Sequence, residues 1–168
     1  MMTIEEAIKT AIEYEIRIRD VYLEAVAAVD DDAGKRIFET LGKDEQRHID
    51  YLEYKLDQFQ KTGAIETERL ESAIPDGDSI AKEADKIKTL VAKEFLGIKQ
   101  QMLSKALKAE IETSAFYQKM VNELPAEARP LFARFLEIEN NHVQAVQFEL
   151  DYMGKTGYWF DFKEFDME

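Results

Sequence analysis

Two stretches of this chain repeat each other at an offset of 94 to 95 residues, inside a hydrophobic pattern with the period of a helix. AIEYEIRIRDVY, carrying Glu15 and Tyr22, lies over ALKAEIETSAFY, carrying Glu110 and Tyr117. IFETLGKDEQRH lies over LFARFLEIENNH, which pairs Phe38 with Phe132, Glu45 with Glu139 and His48 with His142. Around both copies apolar residues recur at threes and fours, and with seven glycines and three prolines in 168 residues little interrupts them. Helix is favoured nearly everywhere and strand almost nowhere, so the expected class is all-α.

The first helix opens at Thr3, whose Thr-x-x-Glu spacing to Glu6 is a capping box, and its stripe reads Ile4, Ile8, Ala11, Glu15, Ile18, Tyr22, Ala25, Val29. The acidic run Asp30 to Asp32 ends it and can cap the next. A second helix is expected from about Ala33 to Thr62, with Gly63 as its C-cap and Phe38, Leu41, Glu45, His48, Leu52, Leu56 and Phe59 on its stripe. From Gly63 to about Gly97 the pattern weakens around Pro75-Asp76-Gly77-Asp78, and this segment reads as one long crossover, helical in part from Ser79. A further helix carries Leu103, Ala106, Glu110, Thr113, Tyr117, Met120 and Leu124 and stops at Pro125. The last begins near Glu127, tolerates Pro130 in its first turn, buries Phe132, Phe135, Glu139, His142, Val146 and Leu150, and is expected to end at Gly154. Short loops force antiparallel neighbours, so residues 1–154 read as two antiparallel helical hairpins joined by a long crossover, the ferritin-like form of the four-helix bundle. Residues 155–168 form an aromatic tail.

Composition removes several functional classes. Subtracting 35 Asp and Glu from 22 Lys and Arg gives a formal charge of −13, which repels nucleic acid and anionic lipid surfaces. With no cysteine there are no disulfides, thiolate nucleophiles, zinc ribbons or iron-sulfur clusters, so any metal must be held by Glu, Asp and His. MMTIEEAIKT places acids where a signal peptide carries bases, and no apolar run approaches the roughly 18 residues of a membrane span. The expectation is a soluble, cytoplasmic protein with no membrane or nucleic-acid partner.

A single Glu-x-x-His is weak information in so acidic a chain, because an i, i+3 pair also suits a solvated helix face. Here, however, both histidines follow a glutamate by three residues, and four glutamates and two histidines interrupt the apolar stripes of four helices. The repeat brings all six to one level. Four buried carboxylates need compensation, since an unpaired buried charge costs several kcal/mol against a typical stability of about 5 to 15 kcal/mol. Two divalent cations supply it, and they favour this mixture of oxygen and imidazole ligands. One Glu on each of two helices with Glu-x-x-His on each of the others is the dinuclear carboxylate pattern. The expected roles are terminal ligation by Glu15 and Glu110, bridging by Glu45 and Glu139, and one imidazole per metal from His48 and His142. Iron is the first choice, then manganese, with zinc as a redox-silent occupant. Tyr22 and Tyr117, two turns beyond Glu15 and Glu110, are expected to pack in the core and to hydrogen-bond a ligand carboxylate. Thr113 either does the same or bonds back to its own helix.

Through Glu15 with Tyr22, Glu45-x-x-His48, Glu110 with Tyr117 and Glu139-x-x-His142, the sequence resembles the ferritin-like di-iron carboxylate superfamily, and more closely its rubrerythrin-like members, over about residues 3 to 153. The resemblance implies a non-haem di-iron centre that reacts with hydrogen peroxide or dioxygen, in homodimers or larger assemblies. Rubrerythrins proper add a ligand glutamate where this chain has Thr113 and a four-cysteine module that it lacks, so any electron donor is a separate protein. The six ligands are equally similar to the iron-oxidising centre of bacterioferritin, but Gln46 stands where that family carries its haem-binding methionine, so no haem is expected. The alternatives are a ferroxidase that stores or detoxifies iron and a non-catalytic metal-binding bundle. Tyr158, Trp159, Phe160, Phe162 and Phe165 are expected to pack on the bundle or on a second subunit.

Overall fold

The computed structural model describes residues 1–66, 74 and 97–160. Four helices account for almost all of them: α1 (Ile4–Ala28), α2 (Asp32–Thr62), α3 (Gly97–Glu123) and α4 (Arg129–Thr156), with no strand among the described residues. The expected crossover falls outside the described residues except at 63–66 and Ile74, and Phe162 and Phe165 also lie outside them.

Local chemistry explains the ends. Thr3 and Glu6 form the capping box in both directions, and Asp31 accepts from the Gly34 amide to start α2. Gly63, at φ 71°, closes α2 in the left-handed conformation that a side chain disfavours. α4 departs from expectation at both ends. It starts at Arg129, two residues late, with Pro130 in its first turn. It also runs through Gly154, which lies exposed within the helix, to Gly157 at φ 78°. Within the extra turn Thr156 is buried and donates to the Tyr152 carbonyl at 2.8 Å, and the Gly157 amide donates to the Met153 carbonyl at 2.8 Å.

α1 packs on α2, α3 on α4, and α1 on α3. The contacts Tyr22 to Glu110 and Tyr117 to Glu15 make α1 and α3 antiparallel, as Glu5 to Gln60 and Tyr22 to Phe38 do for α1 and α2. Consequently α2 and α3 run in the same direction, and the end of one lies at the opposite end of the bundle from the start of the other.

The core is divided. One apolar cluster gathers Ile18, Val21, Tyr22, Phe38, Leu103, Val146 and Met153, and Ile74 packs into it. The second gathers Ile8, Leu52, Tyr117, Phe132 and Phe135. Between them lies the polar level described below. Every stripe residue expected on α1 and α3 is buried, whereas Leu56, Phe59 and Leu150, near the ends of α2 and α4, are half-buried. Trp159 and Phe160 fold back on the bundle: Trp159 meets Phe38 edge to face at 5.5 Å, and Phe160 packs on Phe148 and Tyr152. Among the described residues, no helix is long and apolar enough to cross a membrane.

Candidate metal centre

The period of each helix decides which side chains can meet at the polar level. Glu45 and His48, like Glu139 and His142, are separated by three residues and so share a face, and each repeat's lone glutamate sits at the matching height on its neighbour. The structure brings Glu15, Glu45, His48, Glu110, Glu139 and His142 together, all fully buried. They form two groups of four, Glu15, Glu45, His48 and Glu139 in one, and Glu45, Glu110, Glu139 and His142 in the other. Within each group the potential ligand atoms lie within 4.8 Å of one another, and Glu45 and Glu139 belong to both.

Both imidazoles turn Nδ1 toward the glutamates. His48 Nδ1 lies 3.4 Å from Glu15, 3.2 Å from Glu45 and 3.4 Å from Glu139. His142 Nδ1 lies 2.7 Å from Glu45, 3.4 Å from Glu110 and 3.7 Å from Glu139. The rings stack with centroids 5.6 Å apart. The two tyrosines act across the repeat: Tyr22 Oη donates to Glu110 at 2.5 Å and Tyr117 Oη to Glu15 at 2.6 Å. Burial and the adjoining carboxylates push both phenols up, so they stay protonated as donors. Thr113 instead donates to the carbonyl of Ala109 at 2.9 Å, the second of the two expectations for it.

Sequence reasoning missed Asp44. It is fully buried, accepts from His142 Nε2 at 2.8 Å and lies 3.6 Å from His48 Nε2, while the half-exposed Arg47 pairs with it from outside. One carboxylate thus faces the outer nitrogens of both imidazoles, the arrangement that fixes Nδ1 as the nitrogen facing the glutamates. The available signal was its place three residues after Leu41 and four before His48, on the buried side of α2. The repeat gave no help, because the matching position is Ile138.

Protons carry part of the compensation in the cluster itself. Burial pushes Glu45 and Glu139 well above the usual carboxylate range, and the neighbouring carboxylates push them further. Burial lowers both histidines, but the glutamates around them outweigh it and hold both imidazoles charged well above their ordinary range. Glu15 and Glu110 are pushed up by burial too, yet Glu45, the His48 imidazole and the Tyr117 bond beside Glu15, and the His142 imidazole and the Tyr22 bond beside Glu110, bring both below the ordinary value. Protons drawn to Glu45, Glu139 and both imidazoles thus offset part of the cluster's negative charge.

That arrangement leaves unused capacity. Glu110 Oε2 and both oxygens of Glu139 are buried without a hydrogen-bond partner among the described residues. Buried polar atoms normally find partners, and oxygens converging with imidazole nitrogens are the donor set that a divalent transition-metal ion prefers. The residues fit two such ions. Compared with family models, characterised proteins and solved structures, the chain matches none.

Proposed function

We propose that the polar level is a non-haem di-iron centre of the ferritin-like, rubrerythrin-like kind, and that the protein reduces hydrogen peroxide or dioxygen with electrons from a separate donor protein. The observation that carries this reading is the sharing of Glu45 and Glu139 between two four-residue ligand groups. Glu15 and His48 would complete one ion's set, and Glu110 and His142 the other's. Iron supplies one electron per ion through its ferrous and ferric states, two from the pair. Asp44 holds His142 by its outer nitrogen and faces that of His48 at 3.6 Å, and Tyr22 and Tyr117 hold Glu110 and Glu15 in place. The apolar clusters above and below exclude water, which strengthens every interaction within the site.

The test is anaerobic titration of the di-ferrous protein with peroxide and with dioxygen separately. Two electrons consumed per chain by either oxidant is the expected result, and no oxidation by either removes the reading. A ferroxidase serving iron storage is the second reading, favoured by the formal charge of −13, which attracts cations. Storage requires a closed cage, so a dimer by light scattering counts against it.

A further inference from the structure

We propose that Trp159, Phe38 and Tyr22 form a one-electron relay joining the outside of the bundle, beside the turn between α1 and α2, to the carboxylate cluster. The inference rests on the proposed redox reading for its direction, because a centre whose six ligands are fully buried cannot be touched by an electron donor.

The geometry is continuous. Tyr22 donates to Glu110 at 2.5 Å, its ring lies 6.2 Å from that of Phe38, and Phe38 meets Trp159 at 5.5 Å. The half-buried indole therefore stands within about 12 Å of the phenol, ring centre to ring centre, with an aromatic ring between them. Electron tunnelling falls off exponentially with distance, and tryptophan and tyrosine are the two most readily oxidised aromatic side chains. Phe38 resists oxidation and serves as the bridge.

The repeat supplies an internal comparison. Tyr117 and Phe132 reproduce the inner pair at 6.1 Å, but among the described residues no further ring continues from Phe132. The Tyr117 side leads instead through Phe116 to Tyr14 and through Phe135 to Tyr51, whereas the Tyr22 arm ends on the single tryptophan of the chain. Its seat is shaped for it: a Cβ on Gly34 would stand 2.8 Å from Trp159 Cζ2, and Glu149 accepts from the Phe160 amide at 3.1 Å, fixing the backbone next to it. Indole Nε1 has no hydrogen-bond partner among the described residues, so ring contacts place Trp159. Phenylalanine would pack there without an orphaned donor, whose burial is unfavourable.

The electrons balance as follows. Dioxygen needs four electrons to become water and the iron pair would supply two; for each missing electron, Tyr22 gives up one electron and passes its phenolic proton along the hydrogen bond to Glu110. Trp159 returns one electron to the phenoxyl radical, which recovers that proton. The tryptophan radical cation is then reduced by an external one-electron donor. One electron has moved inward and no side chain is consumed.

The relay is tested in zinc-loaded protein, where side chains are the only redox partners, using Tyr158→Phe as background to remove the neighbouring phenol. A photo-excited ruthenium polypyridyl complex with persulfate oxidises Trp159, and transient absorption follows the tryptophan and tyrosyl radicals. The tyrosyl signal should grow as the tryptophan signal decays. Tyr22→Phe should abolish that growth, and Phe38→Leu should slow it by an order of magnitude. Phe132→Leu, the matching truncation on the other arm, should leave it unchanged and controls for loosened packing. Growth that survives Tyr22→Phe, or slows equally with Phe132→Leu, overturns the relay. Zinc stoichiometry is measured on the same samples, and the flash experiment is repeated without metal. Failure to hold two ions sinks the metal reading, while the radical kinetics decide the relay separately.

Discussion

Loading the cluster with divalent ions should expel protons, and their number follows from the side chains. Without metal, burial and the surrounding carboxylates push Glu45 and Glu139 toward the acid form, and those same carboxylates push His48 and His142 toward the charged form. Glu15 and Glu110 are already ionised, their carboxyls lying below the ordinary value. A ligand must be deprotonated at the atom it offers, so filling both positions displaces protons from the four groups with raised pKa values, up to two per ion. The sign is fixed: groups with raised pKa values compete as acids, so affinity falls as pH falls. The upper bound of two protons per ion corresponds to about a hundredfold in affinity per pH unit, or about 2.7 kcal/mol for each ion. Zinc is the suitable probe because it adds no redox step. Calorimetric titration near neutral pH in two buffers of different ionisation enthalpy gives the proton count directly. Fewer than one proton released per ion would refute the assigned protonation states and with them the account of how the empty cluster tolerates its charge.

Three further outcomes are expected. Glu45→Ala removes a ligand common to both groups and should lower zinc content to below one per chain, whereas Glu15→Ala leaves the group of Glu45, Glu110, Glu139 and His142 intact and should retain one; equal stoichiometry in the two variants, by elemental analysis, contradicts the shared-ligand arrangement. Asp44→Ala should weaken metal binding about 10- to 100-fold by freeing the His142 imidazole from its outer partner and removing the charge facing His48, and unchanged affinity in a zinc competition assay would assign Asp44 to structure alone. Gly34→Ala places a methyl group 2.8 Å from the indole, so Trp159 should leave its seat and its fluorescence should shift to the red; an unshifted spectrum shows that the tail is not held there.

Much of this was legible because helical period and internal repetition constrain the same residues. An amphipathic helix in a bundle must turn one stripe inward, so glutamates and histidines on the stripe are carried into the core with their apolar neighbours. Glu15 on α1 and Glu110 on α3 could thus be placed before any coordinates. Asp44 could not, because it lies beside the stripe and its copy is Ile138. The end of α4 differs from expectation for a related reason: Gly154 and Gly157 offer the same conformational freedom, and the seating of Thr156 in the packed structure favours the second.

Lys55 and Glu149 mark the boundary between the two kinds of knowledge. They are 94 residues apart, the repeat offset, both buried, and opposite in charge. Lys55 donates to the Glu66 carbonyl at 2.5 Å and Glu149 accepts from the Phe160 amide at 3.1 Å, each reaching the backbone 11 residues onward. By itself the sequence determined the four helices, their inward faces and the six side chains delivered to one level, since these follow from period and repetition within each segment. Tertiary structure alone decided which partners cross between segments: the exchange of tyrosine bonds between repeats, one aspartate facing both imidazoles, and the tryptophan at the end of the Tyr22 arm. Such contacts join residues whose separation in the chain carries no periodic signal, so only the packed bundle selects them.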